Sequence, residues 1–339
     1  MFEVTELRGR SGEARLISLL RPSPARCDPP CRLHGFGKQH CGGCGWMFVS
    51  YEAQLTAKAA RVAGALAGLD KRIVAEPIWP SPQSLAYRNR AQLKTDGRRL
   101  GYVAAGSHAL VDVPACPILN ADTQALLEGL RERLPNPAWR PKKRSAWTTL
   151  PIDDEMTLDE VTAGTRRAFR QGNSAQNTRM RAWLADTVSA IASPGPTVEL
   201  FAGSGNFTSV LLDAGCDPVT AVDSFAPSVA SLSGGDGSRL RPLCLALDRA
   251  DAIETLKPAL GDARLLVLDP PRSGFRALGA SLKLAPALES LIYVSCDVAT
   301  WTRDLREALA AGFEIVSVQP LDLFPHTPHV ELLSWLRRA

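Results

Sequence analysis

The sequence predicts an α/β protein in which a Rossmann-like domain follows a mixed α+β region. Two observations support this prediction. After about residue 176 apolar strands alternate with helices, whereas from about 85 to 170 short alternating strands are separated by Gly, Pro and Asp. Alternating strands and helices are typical of a mostly parallel sheet covered on both faces. The 339 residues are enough for about two domains of this kind.

In the first half, residues 1–26 predict one or two short strands, and apolar residues at helical spacing predict a helix over 51–69. The runs RAQLKT, RLGYVAA and HALVDVP predict an antiparallel sheet, interrupted by a helix over 121–134. The proline-rich and basic stretch PNPAWRPKKR predicts a loop. This half therefore carries a small sheet of its own.

In the second half, a helix is predicted over 177–191. Strands are then predicted at TVELFA, VTAVDS, RLLVLDP, LIYVSC, EIVSVQPLDLF and VELLSWL. Helices are predicted between them, including one over 278–289 and one at ATWTRDLREALAAG. The order indicates a mostly parallel sheet, whose ligands bind at the carboxyl ends of the strands.

The composition is that of an ordinary globular protein, with 45% apolar and 22% charged residues. No stretch approaches the roughly 20 apolar residues of a membrane span. Charges occupy the N-terminus where a signal peptide would have its apolar core. We expect a cytoplasmic monomer that does not associate with membranes.

Basic residues are concentrated in three windows, Arg88–Arg99, Arg140–Arg144 and Arg166–Arg170, and the net charge is +4. Such clusters can follow the phosphates of a nucleic acid, although each one alone can also be a solvated surface. Their position ahead of the Rossmann-like half favours an RNA partner.

Eight cysteines in a chain expected in the cytosol do not indicate a disulfide framework. Cys31, Cys41 and Cys44 lie close together, and Cys116 follows in DVPACPIL. Three or four thiolates around one point suit either zinc or a [4Fe–4S] cluster, and the spacing does not separate the two. Cys27 is an alternative to Cys31 as the first ligand.

The first strand of the Rossmann-like half runs into FAGSGNF, which opens a helix. Gly203 and Gly205 allow a ligand to approach the backbone, and Asp223 at the end of the next strand can bind a pair of ribose hydroxyls. A tight turn without a ligand is the alternative. The full GxGxxG pattern of NAD sites is absent, so S-adenosyl-L-methionine (SAM) is the preferred ligand.

Two further motifs are predicted at the same sheet edge. The strand ending in Leu268 runs into Asp269-Pro270-Pro271-Arg272, and the strand LIYVSC ends at Cys296. A thiolate can add to C6 of a uracil and make C5 nucleophilic, after which a base must remove the C5 proton. Glu331 in HTPHVE is the best candidate for that base. An inert buried cysteine is the alternative.

Together these motifs resemble the RNA uracil-C5 methyltransferase family, which includes enzymes acting on 23S rRNA and on tRNA. The resemblance runs from about Pro22 to the C-terminus. It is carried by PPC…CGGC, YEAQLTAK, YRNRAQLK, LGYVAAGSHALVDVPACPIL, FRQGNSAQN, ELFAGSGNF, LDPPRSGF, YVSCDVATWTRDL and LFPHTPHVE.

The resemblance implies a role for each candidate residue. The nucleophile falls on Cys296 and the general base on Glu331. The SAM contacts fall on Gln171, Phe201, Asn206, Asp223 and Asp269, with a looser match at Asp248. The ligands of a [4Fe–4S] cluster fall on Cys31, Cys41, Cys44 and Cys116.

The resemblance also implies a domain plan. Residues 1–26 would be the remnant of an N-terminal barrel of the TRAM type, 27–175 a central RNA-binding domain carrying the iron–sulfur loop, and 176–339 the SAM-dependent methyltransferase domain. We expect the N-terminal part of the central domain to fold back near the catalytic face. With so little of the barrel present, RNA affinity would have to come from the central domain and its basic windows.

The expected reaction is methylation of C5 of a uridine in 23S rRNA through a covalent adduct between Cys296 and C6. A tRNA T-loop uridine is the alternative substrate. Two other functions were weighed: a cytosine-C5 methyltransferase, which uses a differently placed Pro-Cys motif, and a non-enzymatic RNA-binding protein with a cysteine-bound metal. Asp297, where Asn usually follows the nucleophile, and Asp223, where Glu is usual, depart from the family pattern.

Overall fold

A computed structural model describes residues 1–9, 11–142, 145–232, 237–249 and 251–339. Two members of the basic window over 140–144, Lys143 and Arg144, lie outside these ranges. Within the described ranges, no helix combines the length and apolar character that a membrane span requires.

The N-terminus forms an antiparallel two-stranded sheet from β1 (Phe2–Arg8) and β2 (Ser11–Leu16). Its apolar side chains, including Phe2 and Leu7, are exposed. The prediction of short strands here is confirmed.

The predicted small sheet is confirmed as four antiparallel strands in the order β5-β4-β3-β6. Its strands are β3 (Arg90–Thr95), β4 (Leu100–Val103), β5 (Leu110–Asp112) and β6 (Thr148–Asp153). The helix α2 (Ala121–Glu132) packs on it and contributes Leu127 and Leu130 to a shared core.

The second half forms a seven-stranded sheet in the order β12-β13-β11-β10-β7-β8-β9. Its strands are β7 (Thr197–Leu200), β8 (Val219–Asp223), β9 (Leu240–Cys244), β10 (Leu265–Leu268), β11 (Ser290–Ser295), β12 (Phe313–Leu321) and β13 (Glu331–Arg338). Neighbours from β9 to β11 run parallel, and β13 is antiparallel to both β11 and β12. The mostly parallel sheet is confirmed.

Helices cover both faces of this sheet. They are α3 (Ser174–Ser189), α4 (Thr208–Asp213), α5 (Ala226–Leu232), α6 (Ala252–Asp262), α7 (Leu278–Lys283) and α8 (Val298–Ala310). The sequence pattern did not predict α6, which contains Pro258 yet buries Leu256 and Leu260. The predicted helix over 278–289 was too long, because residues before Pro286 disfavour helical backbone.

The predicted helix over 51–69 is present as α1 (Tyr51–Ala67), with the Ser50 side chain as its N-cap. Val62 and Leu66 on its buried face join the apolar core of the seven-stranded sheet. Although α1 belongs to the first half of the chain, it therefore packs against the second half. The expectation that the N-terminal part of the central domain folds back near the catalytic face stays a prediction.

Candidate active site

The loop after β7 contains several left-handed backbone conformations. Phe201, Gly203 and Gly205 have φ values of 64°, 56° and 92°. A Cβ on Gly205 would lie 2.6 Å from Cδ2 of Leu232, so this position requires glycine. No atom would lie within 4 Å of a Cβ on Gly203, so a ligand has room to approach the backbone there.

Asp223 at the end of β8 anchors this loop. Its carboxylate accepts hydrogen bonds from the backbone N–H of Gly203 at 2.9 Å and of Phe225 at 2.8 Å. Each carboxylate oxygen has further lone pairs, so Asp223 can still accept from a pair of hydroxyl groups. The structure brings the glycine loop and the predicted acid together.

Asn206 and Gln171 lie near the ends of β7 and β10, and each makes side-chain hydrogen bonds there. Asn206 and Asn177 exchange two amide hydrogen bonds, each of 2.9 Å, which tie the loop to α3. Gln171 Nε2 donates to Oδ2 of Asp269 at 3.5 Å. Asn177 was not among the predicted site residues, although it lies in the motif FRQGNSAQN.

Asp248 is placed differently from the other candidate SAM contacts. It is exposed in the turn that follows β9. Its assignment therefore still rests on the loose match to the family pattern.

Cys296 and Glu331 lie next to each other across two strands. β11 and β13 pair with Ser295 opposite Leu332. Cys296 directly follows Ser295, and Glu331 directly precedes Leu332, so both lie at the same end of this strand pair. The Glu331 carboxylate is near enough to contribute to the raised pKa of Cys296. The residue after the predicted nucleophile, Asp297, is the N-cap of α8 and accepts from the N–H groups of Ala299 and Thr300. Asp is well suited to this cap.

The reacting groups are strongly desolvated. Burial, together with the carboxylates of Glu331 and Asp269, raises the pKa of Cys296 to about 12, and Arg272 opposes this shift. Burial, with Asp269 nearby, also raises the pKa of Glu331 well above its usual value. Burial raises the pKa of Asp269 to about 7. The site therefore disfavours negative charge until a ligand supplies positive charge or hydrogen-bond donors.

The two histidines before Glu331 make hydrogen bonds. Arg272 Nη2 lies 3.0 Å from Nε2 of His329. The backbone N–H of the buried His326 donates to Oε1 of Gln54 at 2.8 Å, and its carbonyl accepts from the N–H of Trp46 at 2.9 Å. These contacts agree with the interpretation of both histidines as hydrogen-bonding residues.

The four predicted cluster cysteines, Cys31, Cys41, Cys44 and Cys116, line one cavity. Burial raises the pKa of Cys44 to about 12, and the neighbouring thiolates contribute. In the described part of the chain, no three His, Cys, Asp or Glu side chains converge tightly enough to hold a single metal ion. The four thiols therefore line the cavity without converging on one position.

His34 and Cys27 differ in their position relative to this cavity. His34 also lines it, and its buried Nε2 has no hydrogen-bond partner among the described residues. Cys27 is exposed, and its thiol lies 3.6 Å from the carbonyl of Met47 instead of lining the cavity. Four thiols that line one cavity are compatible with a cysteine-bound metal or cluster, and the choice of a [4Fe–4S] cluster still rests on the family resemblance.

Sequence reasoning missed three buried polar residues that shape the site. Glu199 in β7 accepts a 2.5 Å hydrogen bond from the Thr208 hydroxyl, and burial raises its pKa to about 8. An acid inside the otherwise apolar strand TVEL was the available signal. Gln54 and Lys58 on α1 are wholly buried, and the signal there was two polar residues on the apolar face of a helix.

Comparisons with known proteins agree with this geometry. The family model described as tRNA (Uracil-5-)-methyltransferase matches residues 259–339. An uncharacterized RNA methyltransferase of Nitrosomonas europaea is 38% identical, over 98% of this chain and 86% of the relative. The 23S rRNA (uracil(1939)-C(5))-methyltransferase RlmD of Halomonas elongata is 30% identical, over 97% of this chain and 80% of the relative.

Among solved structures, the Pyrococcus abyssi tRNA (uracil-54, C5)-methyltransferase in complex with S-adenosyl-L-homocysteine shares the fold. Its TM-score is 0.65 at 20% identity, over 94% of this chain and 88% of that one. The chain therefore belongs to the RNA uracil-C5 methyltransferase family. It is a SAM-dependent RNA methyltransferase with a Rossmann-like fold.

Proposed function

We propose that this enzyme methylates C5 of a uridine in 23S rRNA, with Cys296 as the covalent nucleophile and Glu331 as the general base. The observation that carries the proposal is the pairing of β11 with β13. This pairing ends with Ser295 opposite Leu332, and Cys296 and Glu331 directly flank that pair, which supports a joint role for the thiol and the carboxyl.

The proposed reaction has two parts. The Cys296 thiolate forms a bond to C6 of the uracil, and the electron pair of the C5–C6 double bond shifts so that C5 becomes nucleophilic. SAM, when bound, supplies the methyl group that C5 takes up. Glu331 then accepts the proton from C5, the double bond re-forms, and the thiolate leaves. Each turnover thus regenerates the thiolate.

The raised pKa values make this sequence dependent on bound ligands. Cys296 and Glu331 both lie in surroundings that disfavour their anions, although both act as anions in the proposed steps. Arg272 is the neighbouring cation that favours the thiolate. The positive sulfonium of SAM would add to this effect when it lies near Asp269.

The proposed SAM site consists of the glycine loop and its neighbours. Asp223 would accept hydrogen bonds from the ribose hydroxyls, and the open space at Gly203 would admit the ligand. Phe201, Gly205 and Asn206 would complete the loop side, while Gln171 and Asp269 would close the opposite side. Asp248 would contribute from the exposed turn after β9.

The choice of 23S rRNA rests on the relatives. RlmD relatives at about 30% identity are named for a 23S rRNA uridine, whereas the Pyrococcus abyssi neighbour is named for a tRNA uridine at lower identity. The uridine would be flipped out of its stack to reach Cys296. A T-loop uridine of tRNA is the alternative substrate. We take the enzyme to act as a monomer.

We also propose a [4Fe–4S] cluster on Cys31, Cys41, Cys44 and Cys116, and the domain plan 1–26, 27–175 and 176–339. The common cavity of the four thiols supports the cluster. A cluster there would cross-link the loop to the small sheet, and methyl transfer itself requires no redox step. RNA contacts would come from residues 27–175 and their basic windows.

The reaction is tested by incubating anaerobically purified enzyme with methyl-labelled SAM and separate pools of unmodified 23S rRNA and tRNA. Label in 5-methyluridine from 23S rRNA is the expected result. Label only from tRNA would transfer the proposal to the alternative substrate, and label in 5-methylcytidine would refute it.

The cluster is tested by measuring iron and acid-labile sulfide in the wild type and two serine variants. About four irons per chain are expected for the wild type. Cys44→Ser should lose most of the iron, whereas the matched control Cys27→Ser should retain it. Equal loss in both variants would contradict the choice of Cys31 as first ligand.

A further inference from the structure

The segment that leads from β12 to the proposed base, residues 322–331 (the base segment), is held by the helix α1. Gln54, Lys58, Val62 and Leu66 recur every four residues and form the buried face of α1. The first two are polar, and both contact the base segment. A helix face that only filled a core would have no need of them.

Gln54 uses both ends of its side-chain amide. Its Oε1 accepts a 2.8 Å hydrogen bond from the backbone N–H of His326. Its Nε2 donates to the carbonyls of Val49 at 2.8 Å and Trp46 at 3.2 Å, and lies 3.2 Å from Nδ1 of His326. Gln54 thus connects the base segment to the chain that directly follows Cys44.

Trp46 completes this connection, because its N–H donates to the carbonyl of His326. Both backbone polar groups of His326 are therefore held by residues from the first half of the chain. His326 also has a φ of 67°, which is unfavourable for a residue with a side chain. Such a conformation persists only where the surroundings impose it.

The contacts of α1 continue along the base segment at alternate residues. Lys58 Nζ donates to Oδ1 of Asp322 at 2.6 Å and to the carbonyl of Phe324 at 3.2 Å. Arg61 donates to the carbonyl of Pro328 at 3.3 Å. Together with the hydrogen bond between Gln54 and His326, these contacts tie the base segment to α1 as far as Pro328, three residues before Glu331.

We propose that Gln54 is a positioning residue for the general base: it fixes His326, and through the base segment the Glu331 carboxylate, using the chain after Cys44 as its second anchor. This inference rests on the proposed function. It assigns a role to the motif YEAQLTAK, which the reaction itself does not explain.

The proposal predicts which step fails when Gln54 is removed. Addition of Cys296 to C6 and transfer of the methyl group to C5 do not require the base. Removal of the C5 proton does, and the thiolate leaves only after it. A displaced Glu331 should therefore trap the methylated RNA as a covalent adduct on Cys296.

The test compares Gln54→Met, which keeps the side-chain length without its hydrogen bonds, with Val62→Ala on the same helix face. The readouts are turnover, the dissociation constant for SAM, and the fraction of enzyme in a denaturant-stable adduct with methyl-labelled RNA. In Gln54→Met, turnover should fall about 10- to 100-fold, because small displacements of a catalytic group have effects of this size. The adduct fraction should rise, and the SAM dissociation constant should stay the same.

Val62→Ala should lower the melting temperature without accumulating adduct, since Val62 packs in the core. Gln54→Glu is a second variant in case Gln54→Met does not fold, because a protonated Glu keeps an acceptor for the His326 N–H. Its adduct fraction should lie between those of the wild type and Gln54→Met.

An adduct fraction at the wild-type level in both Gln54 variants would overturn the proposal. A wild type that forms no methylated uridine would instead refute the proposed function. The two failures are therefore distinguishable.

Discussion

The two parts of the candidate site are stabilised in different ways. The loop over 201–206 is held by Asp223 and by its own glycines, all within about one β-α-β unit. The base segment is held by Gln54 and Lys58, which lie 272 and 264 positions earlier in the chain than their partners. The loop of the cofactor half is thus held by local contacts, although Gln171 and Asp269 meet beside it from 98 residues apart. The reaction half depends on the folding of the whole chain.

This difference has an energetic consequence. The loop contacts are backbone hydrogen bonds to a partly exposed carboxylate, so water can replace some of them. The hydrogen bonds from His326 to Gln54 and from Lys58 to Asp322 are buried, so a group left without its partner there cannot be hydrated. Substitutions in the reaction half should therefore affect both folding and activity, and those in the cofactor half mainly binding.

The largest expected effect is a loss of methyl transfer with unchanged SAM binding, which would distinguish the reaction half of the site from the cofactor half. Cys296→Ala should reduce methyl transfer by at least about 1,000-fold, because the variant has no nucleophile to activate C5. SAM binding, measured by calorimetry, should stay the same, because the glycine loop is untouched. Surviving transfer would show that the covalent mechanism is wrong.

The next effect tests how far the reaction half depends on long-range contacts. Lys58→Met should lower the free energy of unfolding by about 3–5 kcal/mol, because it leaves the buried carboxylate of Asp322 unpaired. Chemical denaturation measures the change. Arg72→Met, which breaks an exposed ion pair with Asp70, is the matched control and should have little effect. Similar losses of unfolding free energy in both variants would mean that the buried ion pair contributes no more to stability than the exposed one.

A third effect concerns the cofactor half. Asp223→Ala should weaken SAM binding about 10- to 100-fold, as expected for the loss of hydrogen bonds to a charged group. The melting temperature in the absence of SAM should change little. Asp248→Ala serves as the comparison, since Asp248 is exposed in its turn. If Asp248→Ala weakened binding more than Asp223→Ala, the assignment of the ribose contact would move to Asp248.

The smallest expected effect is a pH dependence of folding stability that originates at Glu199 in β7, the strand that precedes the cofactor loop. Burial raises the pKa of Glu199 from 4.5 to about 8, so its neutral form is favoured in the folded protein. The stability it contributes is complete below about pH 4.5 and is lost as the pH rises towards about 8.

Glu199→Gln keeps an oxygen for the Thr208 hydroxyl and does not ionise. It should therefore raise the melting temperature at pH 8 and change it little at pH 4.5. Thermal unfolding at the two pH values measures this. The exposed control Glu254→Gln should show no such difference between them. A Glu199→Gln variant that is equally stabilised at both values would rule out ionisation as the cause.

Much of the fold could be predicted because its signals are local. Alternating apolar strands between helices predicted six of the seven strands of the large sheet, and β9 (Leu240–Cys244) was missed together with α6. FAGSGNF with Asp223 predicted the turn that joins β7 to α4. The helix α6 was missed because Pro258 interrupts its pattern, and tertiary packing of Leu256 and Leu260 outweighs the cost.

The amino-acid sequence by itself determined most of the order of strands and helices, and it predicted the type of cofactor loop and the residues proposed to react. These features depend on backbone propensity, periodicity and side-chain chemistry, which are properties of short segments. Only the tertiary structure decided that Cys296 and Glu331 become neighbours across β11 and β13, that four cysteines share one cavity, and that Gln54 holds His326. Those pairings join residues far apart in the chain, and only the packing of the whole fold sets the distance between them.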